Sequence, residues 1–217
     1  LFSENRFPGF DRQEDGARLN YGLRAGVYKD SGAFGKVFVG QSYRATGHDM
    51  APEGSGLENR LSDLVTQTSI GLSDRFNADY RLQLDQRTLA ARRHEAAING
   101  LLGPLDLSSR YVYLNAVEGT GFDEPREQLE FAGDYKLTNH WTFRTTSLLD
   151  FGIEPGLRKA SVGLGYNDEC FTFGAEGVKN LFNQATGESQ NVIMLRVGLK
   201  NIGEFEAPEI TLKQQAK

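Results

Sequence analysis

The feature that most constrains this chain is an alternation of apolar and polar residues with a period of two. From Ala17 the odd positions read Ala17, Leu19, Tyr21, Leu23, Ala25 and Val27, and the even positions Arg18, Asn20, Gly22, Arg24, Gly26 and Tyr28. Side chains on a strand point to opposite faces in turn, so this segment has one apolar face and one polar or small face; wound as a helix, the two would mix. The pattern returns at Ala78, Tyr80, Leu82, Leu84, at Leu129, Phe131, Tyr135, Leu137, and at Ile193, Leu195, Val197, Leu199. Weaker versions fill Phe34–Ala45, Leu64–Leu72, Glu95–Leu102, Leu105–Val117, Trp141–Asp150, Leu157–Tyr166 and Phe171–Val178. The spacing predicts about eleven strands and an all-β fold.

No apolar run approaches the roughly 20 residues of a membrane-spanning helix. The mean hydropathy of -0.46 does not exclude a membrane β-barrel, because alternating strands average to a polar composition. Net charge is -5, with basic residues scattered singly, which argues against a nucleic-acid footprint.

Connection lengths narrow the fold further. Short turns are expected at Lys29–Gly32, Ser73–Asn77, Gly103–Pro104, Thr138–His140 and Asn167–Glu169. They alternate with longer links at Gly47–Arg60, Glu118–Arg126, Phe151–Gly156 and Asn180–Gln190, Gln86–Arg93 being the least distinct. In an antiparallel up-and-down meander this alternation puts the short turns at one end, as in transmembrane β-barrels. A Greek-key sandwich has less reason to alternate. Tyr21, Tyr28, Tyr111, Tyr113, Tyr135, Trp141, Phe143, Tyr166, Phe171 and Phe173 fall near strand ends, where barrels carry aromatic girdles and other β-proteins also place rings.

An open sheet edge in lipid leaves backbone groups unpaired at several kcal/mol each, and bacterial single-chain barrels have even strand numbers. An odd count and a chain opening on Leu1 suggest the C-terminal portion of a larger barrel. The expected division is residues 1–203 as that barrel part and residues 204–217 as a polar C-terminal tail. Asn191–Asn201 is expected as the closing strand, and the stretch from Gly203 to Lys217, with Pro208, to hang free.

Several segments have a familiar order. Glu4-Asn5-Arg6-Phe7-Pro8-Gly9-Phe10-Asp11-Arg12 leads to Tyr21-Gly22-Leu23 and Val39-Gly40-Gln41-Ser42-Tyr43. Pro52-Glu53-Gly54-Ser55-Gly56-Leu57 precedes Arg60-Leu61-Ser62-Asp63, and Tyr166-Asn167-Asp168-Glu169-Cys170-Phe171 precedes Leu195-Arg196-Val197-Gly198-Leu199-Lys200. From Glu4 to about Phe205 the chain resembles the C-terminal barrel region of LptD, the organic solvent tolerance family of lipopolysaccharide-assembly proteins. The resemblance implies a larger barrel in the outer membrane of a Gram-negative bacterium, preceded by a periplasmic domain. It implies lipopolysaccharide as cargo, an LptE-type lipoprotein plug in the barrel, and delivery by a periplasmic LptA-type bridge. It also implies lateral exit of the acyl chains between first and last strands, with Asn191–Asn201 on one side of that gate.

Cys170 is the only cysteine. A lone cysteine is either a small buried hydrophobe or, in an exported protein, half of a bridge to a cysteine elsewhere. The family has a cysteine pair at this place that forms disulfides to the N-terminal domain; here Phe171 follows Cys170, so the resemblance implies one disulfide to a cysteine outside this chain. His48, His94 and His140 lack metal-ligand spacing, and nothing resembles a nucleophile elbow, so neither catalysis nor a cofactor is expected. Arg18, Arg24, Asp79, Arg81, Asp85, Glu130, Asp134, Lys136 and Arg196 are expected on the polar, lumen-facing side, to contact phosphorylated sugars or to pair within the wall. Asp49, Glu53, Glu58, Glu118, Asp123 and Glu124 lie on the long links, either solvated or bridged to lipid phosphates by divalent cations. A diffusion porin shares all of this except the ordered segments, and a soluble β-sandwich predicts an apolar interior instead.

Overall fold

A computed structural model describes residues 16–46, 51, 53–117, 124–153, 155–181, 189–200, 203–206 and 210–213. The alternating segments are strands: β1 (Arg18–Tyr28), β2 (Phe34–Arg44), β3 (Leu64–Ser73), β4 (Phe76–Leu84), β5 (Ala91–Leu102), β6 (Leu105–Leu114), β7 (Arg126–Lys136), β8 (Trp141–Asp150), β9 (Gly156–Asn167), β10 (Phe171–Asn180) and β11 (Gln190–Leu199). Two short strands follow, β12 (Gly203–Glu206) and β13 (Ile210–Lys213). The described residues contain no helix, and the strands form one sheet in the chain order β1 to β12, with β13 on β11. This is an antiparallel up-and-down sheet of β-barrel type. Strands consecutive in the chain are neighbours in the sheet, as antiparallel pairing allows.

The chain divides into two compact units, residues 1–98 with 111–127 and residues 99–110 with 128–217. In the first, β1 pairs with β2 from Arg18↔Arg44 to Tyr28↔Phe34, and β3 with β4 from Leu64↔Leu84 to a register shift at Gly71/Ser73. This register lines up Leu19, Leu23, Ala25 and Val27 with Tyr43, Val39, Val37 and Gly35. Across β2–β3 and β3–β4 the same face continues through Ile70, Leu82 and Tyr80. The opposite face carries Asn20, Arg24, Lys36, Ser42, Gln67, Ser69, Asp79 and Arg81. In the second unit, one face carries Leu129, Phe131, Tyr135, Phe143, Leu164, Val162, Phe173, Ala175, Leu195 and Val197, and the other Gln128, Asp134, Arg144, Thr146, Ser161, Glu176 and Arg196.

The apolar face does not cover a core. Leu23 is 75% and Val27 74% exposed, and Leu19, Ile70, Leu72, Val162, Ile193 and Leu195 are exposed too. Among the described residues only Val178 and Val192 are buried apolar side chains, and they sit opposite each other on the polar face. A sandwich would bury its apolar residues between two sheets. These strands present them outward.

Turns follow from local chemistry. Lys29 N–H donates to Ala33 O at 2.8 Å and Gly32 N–H to Lys29 O at 3.0 Å, with Gly32 at φ +84, a conformation that side chains with a Cβ disfavour. At the next β8 turn, Thr138 Oγ1 accepts from Trp141 N–H at 3.0 Å. Gly71 has a different reason: a Cβ there would run into the ring of Phe34, which lies across it on the neighbouring strand.

The structure corrects the end of the chain. The expected free segment from Gly203 contributes two strands to the sheet. β12 pairs Gly203–Glu206 with Leu199–Arg196, and β13 pairs Ile210–Lys213 with Ile193–Gln190. The two stretches pair in registers that differ by one residue. β11 is therefore not the outermost strand at this side of the sheet. β5 also starts earlier than expected, at Ala91 rather than Glu95.

Candidate functional site

The polar face is a wall of paired charges and short cross-strand bonds. In the first unit, Ser42 Oγ–H donates to Asn20 Oδ1 at 2.6 Å and Ser69 Oγ–H to Asp79 Oδ1 at 2.5 Å. Arg24 lies over the Phe38 ring with 5.5 Å to its centroid, and Lys36 Nζ over Phe34 at 4.3 Å. Arg81 Nη1 reaches Glu95 Oε2 at 3.9 Å. In the second unit, Arg144 Nε–H and Nη2–H grip the two oxygens of Asp134 at 2.9 and 3.1 Å. Thr146 and Ser161 hydroxyls meet at 2.7 Å. Of the residues expected on this side, Arg24, Asp79, Arg81 and Asp134 thus have wall partners, and Glu130, Lys136, Arg18 and Arg196 share its register positions. The wall is mixed in sign, so it does not select ions by charge alone.

Asp85 belongs elsewhere. It lies just past β4 and caps the turn into β5, accepting from Arg87 N–H at 2.9 Å and Thr88 N–H at 2.8 Å. A short Asp residue before a turn is well suited to this, since its carboxylate mimics a backbone acceptor. Its carboxylate also pairs with Arg92 Nη2. The same guanidinium reaches Glu58 Oε1 at 2.9 Å and Asp63 Oδ2 at 3.2 Å. Asp63 is 2% exposed and further accepts from Gln83 Nε2–H at 2.9 Å and Gln86 N–H at 3.3 Å. Gln83 also donates to Ser55 O at 3.0 Å, and Asp63 N–H to Gly56 O at 2.8 Å. One arginine at the start of β5 therefore ties the long β2–β3 link to the strand ends.

Electrostatics within this knot are graded. Burial pushes the Asp63 carboxyl up, against the pull of Gln83 and Arg92. Burial also acts on Glu58, but its backbone hydrogen bonds and Arg92 outweigh it, and its carboxyl sits below the usual value. The Arg92 hydrogen bond and the turn N–H groups hold Asp85 well below the usual carboxylate range. The knot was not legible in the sequence. Its members are spread from 58 to 92, and the only local sign is an acidic residue at each strand boundary.

Aromatic rings gather toward strand ends. His94 stacks with Tyr113 at 4.8 Å and Tyr111 at 5.6 Å between centroids. At the opposite kind of connection, a short turn, Trp141 and Tyr166 rings are 5.0 Å apart, with His140 5.8 Å from Tyr166. His94 and His140 are thus ring partners, while His48 lies outside the described residues. Glu58 is ion-paired; Asp49, Glu118 and Asp123 lie outside the described residues. Among the described residues no group of three or more His, Cys, Asp or Glu side chains is placed to hold a metal ion.

Cys170 is exposed on the short β9–β10 turn. Asp168 Oδ1 accepts from Cys170 N–H at 2.8 Å and Phe171 N–H at 2.7 Å, and Lys200 N–H donates to Cys170 O at 2.9 Å. The Cys170 and Phe171 N–H groups, with the Tyr166 hydroxyl, hold the Asp168 carboxyl below its ordinary value. The thiol is presented on a braced turn and is not packed as a core hydrophobe.

A sheet with one polar, hydrogen-bonded face, one exposed apolar face and, among the described residues, almost no buried apolar side chain is of the kind that walls an up-and-down β-barrel. Comparison with known families gives that wall a particular place: residues 1–141 match LptD, LPS transport system D, and the chain belongs to this family. No curated protein matches the chain.

Proposed function

We propose that this chain forms part of an outer-membrane β-barrel that carries lipopolysaccharide from the periplasmic side into the outer leaflet of a Gram-negative cell envelope. The observation that carries the reading is the two-faced sheet: a face of apolar side chains as exposed as Leu23 and Val27 fits contact with lipid. Membership of the lipopolysaccharide transport family supports the cargo. The reading is non-enzymatic, with the polar face contacting the sugar portion while acyl chains leave between strands. An LptE-type lipoprotein fits the role of plug, and an LptA-type bridge delivers cargo through a periplasmic domain beyond this chain. The seam for lateral exit is taken to involve the β12–β13 edge in place of β11, because β11 already has both edges paired. A diffusion porin shares the two faces but not the family match.

The short turns are assigned to the periplasmic end, which puts exposed Cys170 in an oxidising compartment beside any partner cysteine. Fractionation of the full-length protein, with gels run with and without reductant, tests both statements. Recovery in the outer membrane with a redox-dependent mobility shift that disappears in Cys170→Ser is expected. Recovery in the outer membrane without a shift would remove the disulfide and favour a porin; recovery in the soluble fraction would overturn the barrel reading.

A further inference from the structure

We propose that the polar face of the first unit carries a phosphate-binding site formed by Arg81 and Arg93, oriented by Glu95. The ligand is a phosphate monoester on a sugar. The sugar rests on the lipopolysaccharide reading above, whereas the anion chemistry stands on the residues alone.

An open depression of about 350 Å³ lies on this face, lined by Phe38, Gln67, Arg81, Arg93 and Glu95 among others. Glu95 is unusual in it, being a carboxylate only 7% exposed on a face that meets water. Its Oε2 receives two guanidinium groups, Arg93 Nη2 at 3.4 Å and Arg81 Nη1 at 3.9 Å. Burying a carboxylate is costly unless it is paired, and Glu95 meets two guanidiniums, which it holds close to each other. Both guanidiniums meet the same carboxylate oxygen of Glu95.

Both arginines remain open to a ligand. Arg81 is 58% and Arg93 50% exposed, and each guanidinium has five N–H donors in a planar fork. A fork of this kind matches the oxygens of a phosphate better than a lysine does. Arg24 adds positive charge near by, over the Phe38 ring at 5.5 Å. Phe38 lies flat against the sheet because Gly22 is beneath it; a Cβ there would come within 2.8 Å of the ring. The glycine thus keeps the depression shallow on that side, with room for a sugar ring beside its phosphate. Glu95 is a positioning residue here, since it acts through the arginines.

The test is equilibrium binding to the full-length protein in detergent at fixed ionic strength. The probes are glucosamine 6-phosphate, glucosamine and inorganic phosphate. Saturable binding of the phosphosugar is expected, weaker binding of inorganic phosphate, and none of glucosamine. Each of Arg81→Ala and Arg93→Ala should weaken the phosphosugar by about tenfold, the size of one lost charge-assisted bond. Arg87→Ala, on the β4–β5 turn, should leave it unchanged. Arg81→Lys with Arg93→Lys retains the charge and serves if the alanine variants lose heat-modifiable mobility; it should also weaken binding. Equal affinity in wild type and both arginine variants, or a loss as large in Arg87→Ala, would overturn the site. Tighter binding of inorganic phosphate than of the phosphosugar would overturn the sugar part alone. A protein found outside the outer membrane that still binds the phosphosugar through these arginines would refute the transport reading and leave the site intact.

Discussion

Arg92 is the residue on which the local order of the first unit's strand ends depends. Its side chain is 19% exposed and meets three carboxylates, of which Asp63 is all but fully buried. Removing one partner from a buried pair leaves the other uncompensated, at about 3 kcal/mol. Arg92→Ala is therefore expected to lose stability on that scale in denaturant unfolding of the detergent-solubilised protein, and to expose the 53–63 segment to protease. Arg92→Lys should fall between, because an ammonium cannot span the three acceptors as a fork does. Gly56 is a second constraint within the knot: it holds φ +79, and a Cβ would strike Gln83 Nε2 and Asp63 Oδ2. Gly56→Ala should cost more than about 1 kcal/mol.

The pH dependence of the knot follows from the same groups. Asp85 has a folded value below its unfolded one, so its contribution is complete above the ordinary carboxylate range and fades as pH falls through the lowered folded value. Glu58 has the same sign. Asp63 has the opposite sign: its charged form is disfavoured by burial, and protonation relieves that cost. Protease protection of the 53–63 segment should accordingly persist on mild acidification and fail only once pH drops beneath the ordinary carboxylate range. Loss of protection on the alkaline side of that range would contradict this assignment.

At the scale of the element, each strand has two surfaces with different tolerances. Leu23 is on the exposed apolar face of β1, and Asn20 is on the polar one. Leu23→Arg should cost about 2–4 kcal/mol if the residue lies near the bilayer midplane, whereas a charge on the polar face is solvated. Unfolding from lipid vesicles measures the first, with a charge at Asn20 as the control. Strand positions were highly legible: Trp141–Asp150 appears with the expected bounds, and β1, β2, β3 and β10 differ by one or two residues. Period two registers directly which side chains share a face, and each turn is encoded by residues next to one another. The last strands were missed for the same reason. Four-residue pieces separated by a proline segment are too short to display an alternation, and their partner β11 supplies what periodicity could not.

At the scale of the whole molecule, the decisive fact is what each face meets. Exposed apolar side chains on one side and ion pairs and hydroxyl contacts on the other describe a wall between two solvents. The chain belongs to the LPS transport system D family. Redox-sensitive mobility through Cys170 and recovery with the outer membrane are the predictions that belong to this level. The face chemistry was written in the sequence, since alternating residue types specify two surfaces before any pairing is known. The all-β class and the order of short turns and long links followed from it. Tertiary structure alone decided which charges meet. Arg92 gathers Glu58, Asp63 and Asp85, and Glu95 gathers Arg81 and Arg93, because strand register brings residues distant in sequence to one point. Electrostatic pairing depends on separations of a few ångströms, which a linear pattern of residue types does not specify.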